Sequence, residues 1–372
     1  MVLMEPPRRR RCRGVEMSCR LLVAAVSGVL ALTASGCRGS EGQRREVAPD
    51  AATLTVAAND APPLRGKALA GNTGLRLVVA DNPPFVLDVD SGRVTPVHGV
   101  DALKRGTLSV VSVGGRAAVV VARGAWLRAD LYGVRGRLGR ASRLGTGADV
   151  VPAADGESIW VKSFAAPTRC TLRQLRLDGG VVTPARPFPC RSTIYPGGEL
   201  GVVMNRTKLL DPRTGRTILN TGRGVIAAAG KTLVLSGPGD SFTLLNASTR
   251  ETRRVTWPRT IGRLDAPAVD ARGRYVAVAF ANPAWEGGQG LDVWLLDLAT
   301  ARLTHLPSMP ALVALKRTSM AWMDDGRLVL LSESGGKDVV AVWRPGEARL
   351  AIKTVPLPDR SDSGSDSFAP LR

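Results

Sequence analysis

The sequence predicts an all-β fold: a β-propeller of seven four-stranded blades, set behind an N-terminal signal peptide and a short tether. Three observations carry this. Between residues 53 and 358 the chain is built of short strands and turns, with almost no stretch of helical period. A glycine turn feeding an apolar strand recurs seven times in that span. A second unit, strand–turn–strand, also recurs seven times and falls between copies of the first.

Residues 1–36 stand apart from the fold. Arg8, Arg9, Arg10, Arg11, Arg13 and Arg20 form a basic leader, residues 21–32 are apolar or small, and Thr33-Ala34-Ser35-Gly36-Cys37 follows. That apolar run makes roughly 18 Å of helix, short of a hydrocarbon core of about 30 Å, so it reads as the core of a signal peptide. The residues before Cys37 resemble the lipobox of bacterial lipoproteins, with Ala34 where most carry Leu, Val or Ile. The resemblance implies cleavage between Gly36 and Cys37 and a diacylglyceryl group on the Cys37 thiol. An ordinary secretory signal with an incidental cysteine is the alternative. Met17 opens a shorter leader with the same core, so a start at Met1 or Met17 yields one mature chain. Residues 37–52 are polar and read as a flexible tether.

The first repeated unit occurs at Gly74 (LRLVVA), Gly115 (RAAVVVA), Gly156 (ESIWVKSF), Gly198 (ELGVVMN), Gly230 (KTLVLSG), Gly273 (RYVAVAF) and Gly326 (RLVLLSE), on average about 42 residues apart. The second is clear around Gly92 (LDVDSGRVTPV), Gly180 (LRLDGGVVTPA), Gly215 (LLDPRTGRTIL), Arg250 (LLNASTRETRRV) and Ala301 (WLLDLATARLTHL). Weaker copies fall near Gly136 and Ala348. Each repeat thus supplies one strand before the glycine turn, one after it, and two flanking the second turn. A lone unit of this kind cannot bury both faces, and radial packing of several around an axis does. Strands after the glycine (VVVA, VAVAF, LVLL) are apolar on both faces, as interior strands are. Those after the second turn (RVTPV, RETRRV, RLTHL) alternate, as half-exposed outer strands do.

Over about residues 53–357 this pattern is similar to bacterial WD40-like, TolB-like and YVTN-type propellers, most visibly in LDVWLLDLATARLTHL. The regular Trp-Asp dipeptide of WD40 repeats is missing. Trp294 and Trp343 fall in the corresponding strand of the last two repeats and read as blade packing. Together with the leader, the resemblance extends to actinobacterial lipoproteins that carry a propeller. It implies a fold that hosts many tasks.

Cys12 and Cys19 lie in the leader and Cys37 takes the lipid, which leaves Cys170 and Cys190 in an oxidising compartment. Both lie ten residues from Gly180, so a hairpin turning there sets them opposite each other and allows a disulfide. Two free buried thiols are the alternative. Residues 359–372, rich in Ser and Asp, read as a disordered tail.

The net charge is +19, and loss of the leader, with six arginines and two acids, leaves +15. On the outer face of the cell membrane, where the lipid anchor would hold the chain as a monomer, this charge suits anionic headgroups, envelope polymers or an acidic protein. An arginine-rich solvated surface is the plainer reading. No nucleic-acid module is present, and nucleic acid is not an expected partner.

Catalytic constellations are sparse. His98 and His305 fall after second turns and read as exposed rim residues. No His/Cys/Asp cluster has metal spacing, no nucleophile elbow, P-loop or calcium loop occurs, and no cofactor is expected. Asp324 and Asp325 precede Gly326, and Asp90, Asp178, Asp211 and Asp297 recur at second turns, where Asp serves backbone geometry. Insertions are the places to bind a partner: residues 281–290, with Trp285 and Glu286 on a glycine-rich loop, and the proline-stiffened 81–85. The expectation is a non-enzymatic, membrane-anchored binding or scaffold module for an envelope protein or anionic polymer. The alternative is an extracytoplasmic hydrolase or lyase with carboxylates at the propeller channel. Acidic residues gathered at one channel mouth favour that alternative; a mouth of aliphatic and arginine side chains alone excludes it. A two-lobed solute-binding lipoprotein is disfavoured, because strand–helix alternation is absent.

Overall fold

The computed structural model describes residues 60–372, apart from 125–127, 137–138, 167, 284–287, 315–317 and 359–366. Gly36, Cys37, the leader and the tether lie outside the described residues, as do Trp285 and Glu286 of the candidate binding loop.

Seven sheets, each with four antiparallel strands in up-and-down order, form the predicted propeller. Blades 2 to 7 span residues 107–147, 149–188, 194–220, 225–256, 263–305 and 319–354. Strands that follow the glycine turns are buried along their length because each is covered on both faces by neighbouring blades. Ala117–Arg123 and Leu328–Ser334 are examples. Outer strands such as Arg93–Pro96, Thr252–Thr256 and Arg302–His305 keep exposed positions, as their alternation predicts. The hydrophobic clusters lie between blades: one joins Phe242 and Val255 of blade 5 to Val276, Val278 and Phe280 of blade 6.

Blade 1 departs from the sequence reading at both ends of the chain. Its last three strands are Arg76–Val79, Phe85–Asp88 and Arg93–Pro96, but its innermost strand is Phe368–Leu371 from the C-terminus. The ladder sets Val79 against Phe368 and Arg76 against Leu371. The expectation of a disordered tail over 359–372 is therefore corrected for residues 367–372. Phe368, Ala369 and Leu371 are at most 3% exposed. They satisfy a sheet edge that would otherwise stay open in the middle of the ring. The strand expected just before Gly74 goes elsewhere: Lys67–Ala68 adds in parallel to the outer edge of blade 7, against Ala351 and Ile352. Both ends of the described chain thus fasten the seam between blades 7 and 1.

Cys170 and Cys190 are bonded, with their Cα atoms 5.0 Å apart. Their hairpin is not centred on Gly180, however. Leu175 pairs with Val181, and two register shifts between Leu172 and Leu175 bring Cys170 opposite Phe188. The bond reaches diagonally to Cys190, just past the strand end. In blade 6, the strands flanking the 281–290 insertion extend it into a long hairpin, with Tyr275–Pro283 against Gly288–Asp297 and a further strand, Ala311–Ala314, on its edge.

Candidate active site at the channel mouth

The inner strands of blades 2 to 7 run toward one end of the central channel and stop at their first-unit turns. That end therefore collects Gly115 and Arg116, Asp155, Glu199, Gly230, Asp270 and Asp324 from blades 2 to 7. Blade 1 contributes the chain end, Arg372. The turns touch backbone to backbone: the Glu199 amide donates to the Gly230 carbonyl (3.0 Å), that of Asp324 to Gly115 (3.3 Å), and that of Arg372 to Arg116 (3.1 Å). Beneath them lies a cavity of about 560 Å³ whose wall includes Val110, Ser112, Ala228, Ala268, Met320 and Phe368. Its size is that of a small-molecule site.

Four carboxyl groups line it, in unlike environments. Asp270 closes the inner strand of blade 6 and is 3% exposed. Its amide donates to the Tyr275 carbonyl (2.9 Å) and its carbonyl accepts from the Gly273 amide (2.9 Å), which fixes the turn. Burial pushes the Asp270 carboxyl above the usual range, outweighing the amides and charges of Arg272 and Arg274. Its Oδ1 has no hydrogen-bond partner among the described residues.

Asp155 is the opposite case. Burial works to raise it, but the Ser158 hydroxyl (2.5 Å), the amides of Glu157 and Ser158 (each 2.9 Å) and the Arg213 charge hold it below the usual range. Gln174 Nε2 adds a bond at 3.2 Å. Asp324 meets Arg372, whose Nε lies 3.1 Å from Oδ1 and whose Nη1 donates to Oδ2 at 3.2 Å. Asp325 accepts from Arg372 Nη2 and Arg327 Nε, both at 2.9 Å. Glu199 is exposed at the rim.

The turn role read for Asp325 holds, since it accepts its own turn's Arg327 amide (3.2 Å), but Asp324 and Asp325 also anchor the chain end. Asp178, Asp211 and Asp297 hold their own turns, whereas Asp90 reaches across to the amides of Thr73 and Gly74. The loop at 81–85 is pinned to the connection that leads into blade 2, with Asn82 bonded both ways to the Leu103 backbone. His305 is no free rim residue. Its Nε2 lies 2.6 Å from Oδ1 of buried Asp292, and its ring stacks on Trp294, whose Nε1 donates to Asp292 Oδ2 (3.1 Å). Among the described residues, no group of three or more His, Cys, Asp or Glu is placed to hold a metal ion.

Asp155, Glu199 and Asp270 were not singled out from the sequence, although each lies within three residues of a first-unit glycine. Those glycines must all come to one end of a propeller channel, and that was the available signal.

No family model and no curated protein matches the chain. Among solved structures it is similar to a periplasmic gluconolactonase from Pseudomonas aeruginosa (14% identity, 80% of this chain and 99% of that one, TM-score 0.47). It is also similar to an acylaminoacyl peptidase (12%, 80% and 52%, TM-score 0.46), of which it spans about half the length. The β-propeller domain of the Trilobed protease from Pyrococcus furiosus is another (10%, 82% and 98%, TM-score 0.49). At such identities the likeness shows the fold alone. The expectation of a non-enzymatic binding or scaffold module is corrected on the structure itself: the channel mouth gathers the acidic residues on which the hydrolase or lyase alternative depended.

Proposed function

We propose that the protein is a lipid-anchored extracytoplasmic hydrolase acting at the mouth of its propeller channel, with Asp270 as the proton donor. The observation that carries this is a buried carboxyl, raised by burial, lining a small-molecule-sized cavity with one oxygen that has no partner among the described residues. A carboxyl kept protonated nearer neutrality can donate to a departing oxygen, and one held low stays ionised. Separation of this kind assigns acid and base roles in hydrolytic sites. Asp155, on the far side of the ring, is the ionised partner that orients substrate hydroxyls. Asp324, on the blade next to Asp270, is the carboxylate that takes the proton of the attacking water.

A cyclic ester is the substrate class that asks least of this site. Water bonds to the carbonyl carbon, the ring C–O bond breaks, and Asp270 protonates the released alkoxide. Arg116 at the mouth, though paired with Glu157, adds positive charge that suits the carboxylate product. The test is hydrolysis of glucono-δ-lactone and p-nitrophenyl acetate by the purified mature chain. Turnover above the buffer rate is expected, falling by about 10²–10⁴-fold in Asp270→Asn. No turnover on either compound, or an unchanged rate in the variant, overturns the assignment.

Anchoring rests on the basic leader, the apolar run and the small residues before Cys37. Radiolabelled palmitate should mark the wild-type chain in its host and leave Cys37→Ser unmarked. Label persisting in the variant points to the ordinary secretory signal instead.

A further inference from the structure

Away from the channel, the outer part of the seam between blades 1 and 2 opens as a cleft of about 570 Å³. Sheet register decides what lines it. Arg76 pairs with Asp88, and Asp88 with Arg93, on three adjacent strands of blade 1, so the three charged side chains stand in a row on one face. A parallel bridge between His98 and Arg140, with the Ala141 amide donating to the His98 carbonyl at 3.0 Å, brings blade 2 alongside. The floor is apolar Val86, against which the backbone of Gly139 is pressed so closely that no side chain fits there.

The charges in this cleft do not balance. Among the described residues, three guanidinium groups and an imidazole face one carboxylate. Asp88 is already committed, with Oδ2 on Arg76 Nε (3.1 Å) and Oδ1 on the amide (3.0 Å) and hydroxyl (2.9 Å) of Ser91. The side chains of Arg93, His98 and Arg140 have no hydrogen-bond or ion-pair partner among the described residues. At other blade ends arginines do find acids, as Arg116 with Glu157, Arg143 with Asp130 and Arg274 with Asp297. Two open guanidinium forks from different blades line this one cleft over an apolar floor, and such a pair of planar donors suits a tetrahedral oxyanion. The volume admits a small molecule bearing such a group and exceeds what a bare ion needs.

We propose that this cleft binds a phosphate group, held between Arg93 and Arg140, with Arg76 and His98 at its sides. This stands independently of the hydrolase reading. The purified mature chain is titrated calorimetrically with inorganic phosphate, with glucose 6-phosphate and with glucose, and sedimented with phosphatidylglycerol vesicles. One saturable site for phosphate is expected, with no binding of glucose. Arg93→Gln and Arg140→Gln should each weaken it about tenfold or more, the double variant should abolish it, and Asp270→Asn should leave it unchanged. Both arginines are exposed, so thermal unfolding of the variants should match wild type.

Tighter binding of glucose 6-phosphate than of phosphate identifies a soluble phosphate monoester as the source. Vesicle binding lost together with phosphate binding in the double variant identifies a lipid headgroup. The proposal is overturned if phosphate shows no saturable binding, or if the double variant keeps it. Vesicle binding that survives the double variant while phosphate fails to bind also overturns it, since the net charge alone then accounts for the attraction.

Discussion

At the scale of single residues, the environment that suits Asp270 to proton donation should also cost the fold stability. Its carboxyl titrates higher in the folded chain than in the unfolded one, so between the two values the folded state holds more protons. Stability therefore falls as pH rises through that window, and the full penalty persists above it. Asp270→Asn removes the falling limb. Across the acid range the thermal midpoint of wild type should fall relative to that of the variant as pH rises, with the variant the more stable near neutrality. Identical profiles would mean that the carboxyl is not held high. Lys162 makes the converse case. Its buried ammonium lies 3.1 Å from Asp149 and donates to the Ser192 carbonyl at 2.5 Å, tying blade 3 to the connection that follows Cys190. Lys162→Met should destabilise by about 1–3 kcal/mol in urea unfolding, since it strands the carbonyl and leaves a carboxylate that is partly open to water.

At the scale of elements, the C-terminal strand is short but closes the ring. Removing residues 367–372 exposes the edge of Arg76–Val79, uncovers the sites of Phe368 and Leu371, and frees Asp324 and Asp325 from Arg372. Burial of the two large side chains alone is worth about 3–6 kcal/mol. The truncated chain should lose its cooperative melt or melt far lower, followed by calorimetry, and an unchanged midpoint would show the strand to be dispensable. The Cys170–Cys190 loop is separately worth about 3 kcal/mol in the chain-entropy model. Cys170→Ser/Cys190→Ser should unfold at correspondingly lower urea.

These two elements also mark the limit of what the sequence shows. The cysteine pair was legible because spacing and compartment suffice for it. The register was not, because bulges depend on how the strands twist within the blade. The closing strand was hidden because four apolar residues follow a polar run. Its partner lies nearly 300 residues away, a distance that no local pattern spans.

At the scale of the whole molecule, seven blades could be counted because each repeats its own turn and strand periods. The channel mouth could not be read in the same way. It takes one turn from each of blades 2 to 7, and each of Asp155, Asp270 and Asp324 looks locally like an ordinary turn residue. Their common site exists only once the ring has closed. Two glycines make that closure testable. Gly198 and Gly273, at φ +63° and +69°, press on the blade 5 turn at Gly230 from opposite sides. A Cβ on Gly273 would stand 2.6 Å from the Gly230 nitrogen, and one on Gly198 would collide with the Gly230 carbonyl oxygen. Gly326 has a similar backbone, φ +84°, yet open space around it, so Gly326→Ala reports backbone strain alone, about 1 kcal/mol. Gly198→Ala and Gly273→Ala should each cost about 1–3 kcal/mol more than that, from overpacking against the neighbouring turn. Because each pushes Gly230 toward the other, the double variant should lose more than the sum of the two. Costs equal to that of Gly326→Ala, or simple additivity, would show that the turns do not bear on one another and that the mouth is held by the blades separately.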